Sequence, residues 1–137
     1  MNTPTLATDE ALKILIVDDH AGLRKEIRTM LEEHGHDIQE AASAYQAMPL
    51  VRDNLFDFIL LDYRMPLHDG LWFLRNVELP RETRVLLMTA HNHNELVTAM
   101  FKAGAKGYLI KPFGREDLMH HIKFHAKIGR KMRRYNA

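Results

Sequence analysis

Lys13-Ile14-Leu15-Ile16-Val17-Asp18-Asp19 sets four aliphatic side chains in a row and then stops on two carboxylates. A strand with one buried face alternates apolar and polar residues, whereas a strand covered on both faces reads as a continuous apolar run. The stretch therefore predicts a strand over 13–17 inside a parallel sheet, with an Asp pair just past its carboxyl end. Runs of the same kind recur at Phe58–Leu61, Val85–Met88 and Tyr108–Ile110, and a weaker one lies at Asp37–Ala42.

The segments between these runs carry helical spacing. Leu23, Ile27, Met30 and Leu31 share one face of a first helix that closes at Gly35, a suitable left-handed cap. A second helix spans about Ala44 to Asp53, with Ser43 as N-cap. A third runs from Leu71 to about Val77, and a fourth from Glu95 to Ala103, stopping at Gly104. A fifth, from about Arg115, aligns Leu118, Ile122 and Ala126. Pro49 breaks the pattern inside the second helix, at a cost of about 3 kcal/mol. Either that helix is kinked or it starts near Pro49; the expectation is a distorted, loosely packed helix. Strands alternating with helices predict an α/β protein, a doubly wound five-stranded parallel sheet with five helices.

The chain has 137 residues, enough for one domain, with 46% hydrophobic and 27% charged residues. That balance supports a packed core and excludes disorder as the main state. No stretch approaches about 20 apolar residues, and Met1 to Glu10 has neither the basic start nor the apolar run of a secretory signal. The absence of cysteine excludes disulfides and thiolate metal sites. A cytoplasmic protein that does not engage membranes is expected. The net charge of +1 hides an asymmetry: six of the 19 basic residues lie from Lys123 onward with no acidic residue among them. The first 122 residues thus hold 13 basic against 18 acidic, a net of −5. Six charges are few for tight nucleic-acid binding, and no helix-turn-helix pattern follows Lys127, so a nucleic-acid partner is not expected. The folded domain is placed at 12–128, between a flexible arm at 1–11 and a basic tail at 129–137.

In an open parallel sheet, ligands gather at the carboxyl ends of the strands. Asp18 and Asp19 follow the first strand, Asp62 ends the third, Thr89 the fourth, and Lys111-Pro112 the fifth. One Asp at a strand end could be a helix cap, but four strand ends agree on chemistry. Three carboxylates stay ionised together only beside a cation, and hard oxygen ligands without His or Cys favour Mg²⁺. Lys111 supplies a mobile positive charge and Thr89 a hydroxyl donor for an anion. Such a set can stabilise a transferring phosphoryl group, and a carboxylate can itself be the nucleophile that forms an acyl phosphate.

Ile16-Val17-Asp18-Asp19-His20, Leu60-Leu61-Asp62-Tyr63-Arg64-Met65-Pro66 leading to Asp69-Gly70, Met88-Thr89-Ala90, and Gly104-Ala105-Lys106-Gly107-Tyr108-Leu109-Ile110-Lys111-Pro112-Phe113 together resemble a response regulator receiver domain. The resemblance covers about residues 12–127 and is nearest to single-domain, chemotaxis-regulator-like receivers of the flavodoxin-like fold. It implies that Asp62 is the phosphoacceptor, served by a sensor histidine kinase, a histidine phosphotransfer protein or a small phosphodonor. It implies Mg²⁺, with Mn²⁺ as a substitute, held by Asp19 and Asp62, by Asp18 through water and by the backbone carbonyl of Arg64. Thr89 and Lys111 would bind the phosphoryl oxygens, Tyr108 would be the switch aromatic, and the Lys111–Pro112 bond would be cis. Arg64 and His91 occupy the positions that tune hydrolysis in this family. A downstream effector would dock on the face formed by the last two helices and the last strand.

Ala105-Lys106-Gly107-Tyr108 lacks the Asp-Asp that receivers of winged-helix regulators use in a salt-bridged dimer. A monomer, or a weak phosphorylation-dependent dimer, is expected. The alternative function is the receiver part of a transcriptional regulator separated from its DNA-binding output domain. A Mg²⁺-dependent hydrolase acting on external substrates is disfavoured, because Arg64 stands where such enzymes place an acid–base Asp. Only self-phosphorylation and autodephosphorylation are expected. His91 and His93 share a loop, and His121 and His125 lie one helical turn apart, a spacing that can bind a transition metal. With no third ligand apparent, an exposed polar face is expected there. Phe124, His121 and Ile128 form a second, weaker apolar stripe on the last helix.

Overall fold

A computed structural model of the chain describes residues 10–136, with side chains as far as Lys127. Five strands, β1 (Lys13–Val17), β2 (Asp37–Ala41), β3 (Phe58–Asp62), β4 (Arg84–Thr89) and β5 (Gly107–Ile110), form one sheet in the order β2-β1-β3-β4-β5. Every neighbouring pair is parallel. The helices are α1 (Ala21–Glu33), α2 (Ala44–Asp53), α3 (Gly70–Asn76), α4 (Asn94–Lys102) and α5 (Arg115–Asn136).

The continuous runs are explained by two cores, one on each face of the sheet. Ile14, Ile16, Phe58, Leu60, Leu86 and Met88 point to the side where α1 and α5 bring Ile27, Leu31, Leu118 and Ile122. The intervening residues Leu15, Val17, Ile59, Leu61, Val85 and Leu87 point to the other side, against Ala44, Ala47, Phe73, Leu96 and Met100 of α2, α3 and α4. Each large side chain so buried contributes roughly 1.5–3 kcal/mol by leaving water. The chain reverses direction of winding between β1 and β3, and the crevice opens where β1, β3 and β4 end side by side.

Both expected glycine stops take positive φ, Gly35 at 84° and Gly104 at 111°. The segment α2 remains one helix from Ala44 across an exposed Pro49, rather than starting at it. Its first turn is held from both ends: Ser43 Oγ accepts from the Gln46 amide, and Gln46 Oε1 accepts from the Ala42 amide. Only Ala44 and Ala47 of α2 are fully buried, which fits the loose packing expected of it.

The backbone of α5 continues through Asn136, past Gly129, where the folded part was expected to end. A single Gly costs a helix about 1 kcal/mol, and the Lys, Met and Arg residues after it favour helix. The expected arm at 1–11 lies outside the described residues up to position 9, as do the side chains of the basic tail. Among the described residues no helix is long and apolar enough to cross a membrane.

Candidate functional site

The β1 strand carries Asp18 to the crevice with its side chain fully buried, and β3 delivers Asp62 at 5% exposure. Asp19 is exposed at the rim. Carboxylate oxygens of Asp18, Asp19 and Asp62 all lie within 4.8 Å of one another, the one such cluster among the described residues. Lys111 reaches in from the loop after β5 and donates to both buried carboxylates, at 3.0 Å to Asp18 Oδ2 and 3.0 Å to Asp62 Oδ1. The Lys111–Pro112 bond is cis.

Electrostatics describe a site short of positive charge. Burial pushes the Asp62 carboxyl up to about 6; the Lys111 ammonium opposes this, while the neighbouring Asp18 and Asp19 charges add to it. Burial pulls Lys111 down, but its hydrogen bonds to Asp62 and Asp18 outweigh that and leave it above its usual value. Three carboxylates against one ammonium leave −2 when all are ionised, and every donor is a hard oxygen. A hard dication fits that set in charge and in ligand chemistry.

The other expected residues sit around this cluster in different ways. Thr89, 1% exposed, ends β4 beside Asp62's strand, but its hydroxyl is turned to the backbone of His91. It donates to the His91 carbonyl at 3.0 Å and accepts from the His91 amide at 2.9 Å. Arg64 and His91 are both exposed on the loops that follow β3 and β4, and Arg64 makes no ion pair among the described residues. Tyr108 is half-buried on β5, edge-on to Phe101 of α4 with ring centroids 6.2 Å apart. A shallow groove beside it is lined by Phe101, Ile110, Phe113 and His121.

The pair His121 and His125 does not form an exposed polar face. Both are half-buried, their rings are stacked 6.1 Å apart, and His125 packs over Gly107 so closely that a Cβ there would meet Nε2 at 2.9 Å. Burial first, then a neighbouring histidine, lowers both imidazoles. Phe124 is exposed beside them, whereas the Ile128 side chain lies outside the described residues.

Several residues that build the site carry no sequence signal strong enough to find them. His20 and His93 cap α1 and α4 through Nδ1, which accepts from the Leu23 amide at 3.1 Å and the Leu96 amide at 3.3 Å. Histidine is no favoured N-cap, so neither stands out. Asp69 caps α3 by accepting from the Trp72 amide at 2.8 Å, and the Asp-Gly pair is the visible trace of it. Gly70 lets α3 approach β3: a Cβ there would lie 2.8 Å from the Asp62 carbonyl oxygen. Arg24 of α1 bonds the Asp18 carbonyl and Glu40 of β2 at once.

The family model of the response regulator receiver domain matches residues 14–123. In sequence the chain is 35% identical over 106 residues to chemotaxis protein CheY-3 of Vibrio cholerae, covering 74% of this chain and 82% of that protein. In structure it is similar to a CheY-like response regulator receiver domain protein from Methanospirillum hungatei JF-1. The TM-score is 0.83 at 26% identity, covering 90% of this chain and 99% of that one. It is also similar to the receiver domain of sensor histidine kinase PA1611 from Pseudomonas aeruginosa PAO1, which was crystallised with a magnesium ion in its active-site cleft. There the TM-score is 0.75 at 27% identity, covering 86% and 99%.

Proposed function

Because the chain belongs to the response regulator receiver family of two-component signalling, we propose that it accepts a phosphoryl group on Asp62 in a Mg²⁺-dependent reaction and signals through protein contacts. The observation that carries this reading is the convergence of Asp18, Asp19 and Lys111 on a buried Asp62. Asp19 and Asp62 would hold the ion by side chain, Asp18 through water and Arg64 by its backbone carbonyl, as the family resemblance implies. The magnesium in the PA1611 receiver cleft and the charge deficit of this cluster support the choice of metal. When bound, Mg²⁺ offsets the charge that the carboxylates and the incoming phosphoryl group bring together. Mn²⁺ substitutes for it.

Lys111 holds the Asp62 carboxylate at Oδ1, and a carboxylate oxygen of Asp62 attacks phosphorus. The new bond is carboxylate O–P; the bond that breaks joins phosphorus to the donor, a histidine nitrogen of a sensor kinase or phosphotransfer protein, or the acyl oxygen of acetyl phosphate. Lys111 stays in reach of the added negative charge. Arg64 stands in the place of an acid–base carboxylate, which disfavours action on external phosphoesters, so the chemistry is self-phosphorylation and autodephosphorylation. Arg64 and His91, exposed on either side, tune that loss.

To donate to a phosphoryl oxygen, the Thr89 hydroxyl has to give up the bond it donates to the His91 carbonyl. The loop into α4 is thereby loosened, and Tyr108 can move into the space behind β4. The α4-β5-α5 face, where Phe101 and Ile110 are exposed, then presents a different surface to an effector. A cytoplasmic location follows from partners of this kind.

Incubation with acetyl phosphate and Mg²⁺ should add one acid-labile phosphoryl group by intact-mass spectrometry, and chelation of the metal should abolish it. Labelling that persists at full extent in Asp62→Asn would overturn the assignment.

A further inference from the structure

We propose that Arg24 is a positioning residue for the divalent-cation site, holding the Asp18–Asp19 peptide in the orientation that lets Asp19 join the cluster. The proposal rests on the reading of that cluster as a cation site. Asp18 is fixed through its side chain: Oδ2 accepts from Lys111, and Oδ1 accepts from the His20 amide at 2.8 Å. Asp19 is not; it is exposed, and no hydrogen bond within the chain holds its carboxylate among the described residues. Its direction is therefore set by the peptide that precedes it. That peptide's carbonyl, Asp18 O, accepts from Arg24 Nη1 at 2.5 Å.

The guanidinium is itself held in place. Arg24 is nearly buried, with 16% of its side chain exposed, and its Nε donates to Glu40 Oε1 on β2 at 2.9 Å. Glu40 Oε2 accepts from Arg28 Nη1 at 2.7 Å, and Arg28 Nε donates to Glu32 at 2.9 Å. These hydrogen bonds, first among them Arg28's, hold the Glu40 carboxyl below its ordinary range, so the row of charges persists at neutral pH. A planar fork that bonds a carboxylate with one nitrogen and a carbonyl with another is a task for arginine, and lysine does not reproduce it. The β1–α1 turn is thus clamped between α1 and β2.

The sign of the effect separates positioning from charge. Arg24 is a cation near a cation site, so by Coulomb's law alone its removal should tighten Mg²⁺ binding. If Arg24 positions Asp19, its removal should weaken binding instead.

Mg²⁺ titration of the whole chain, followed by the fluorescence of Trp72 and by calorimetry, tests this with Arg24→Ala, Arg24→Lys and Arg28→Ala. Arg28 shares Glu40 and the same helix but does not touch Asp18, so it controls for stability and for loss of a positive charge. The expected result is a Kd for Mg²⁺ raised at least 5-fold in both Arg24 variants and changed less than 2-fold in Arg28→Ala. Phosphorylation by acetyl phosphate should slow at low Mg²⁺ in the Arg24 variants and recover at saturating Mg²⁺. Unchanged or tighter binding in Arg24→Lys and Arg24→Ala, or equal weakening in Arg28→Ala, would overturn the proposal. Should the unsubstituted chain show no Mg²⁺ binding that Asp19→Asn removes, it is the cation-site reading itself that fails.

Discussion

Asp62 stores the tension of the site. Its carboxyl titrates at about 6 against an ordinary 3.8, chiefly because it is buried. A folded-state value above the unfolded one means that the native protein binds the proton more tightly. Stability is therefore lost as pH rises from about 3.8 through about 6, and the loss is complete above that. Asp62→Asn should consequently stabilise the metal-free protein by about 1–3 kcal/mol at pH 7.5, allowing for relaxation of the site. The difference in melting temperature between the two proteins should shrink as pH falls toward 4. A gap that stays constant with pH would show that burial of this charge is not its source. Leu67, in the loop after β3, is a second strained residue, with φ of 72° and 90% exposure. The left-handed region costs a side chain about 1–2 kcal/mol, partly offset by the unfolded-state freedom that Gly would add. Leu67→Gly should stabilise by about 0.5–1 kcal/mol in urea denaturation, since no packing is lost.

At the scale of elements, α2 is where local preference and tertiary structure disagree. Its helix persists through Pro49 because Ser43 and Gln46 cap the first turn and because Ala44 and Ala47 seat it on the sheet. Pro49→Ala restores a backbone donor and removes a clash with the preceding turn, and should stabilise by about 1–3 kcal/mol with slower amide exchange confined to α2. No change in α2 exchange would mean that the proline costs nothing there. The strands were legible to within a residue or two because burial on both faces writes itself as unbroken aliphatic runs, as in Ile14 to Val17. The carboxyl-end rule then located Asp18, Asp62, Thr89 and Lys111. What could not be read were contacts between segments distant in sequence and carried by unremarkable residues. Arg24 to Glu40 and His125 over Gly107 have no local pattern, since each depends on how two elements meet, while the caps His20 and His93 are local but use a residue that is no favoured N-cap. The orientation of Thr89 toward His91 is local, yet it too was hidden: the residue was evident, its hydrogen bonds were not.

For the whole molecule, the proposed switch would convert charge at Asp62 into a change on a face several elements away. A ligand shifts such an equilibrium only through contacts that differ between the states. The contacts on offer are the bond from Thr89 to the His91 carbonyl and the Tyr108–Phe101 edge. Beryllofluoride, a phosphoryl mimic, should therefore alter hydrogen exchange most in residues 91–103 and around Tyr108, with Thr89→Ala blunting the change. Largest changes in α1 instead would place the responsive face on the other side of the sheet. All of this depends on which atom receives the phosphoryl group, and borohydride tests that most directly. It reduces an aspartyl phosphate to homoserine, marking the acceptor permanently for peptide mapping. After reaction with acetyl phosphate and Mg²⁺, the expected result is homoserine at position 62 alone. Homoserine at Asp18, Asp19 or Asp57, or none in a protein shown to carry phosphate, would contradict the account.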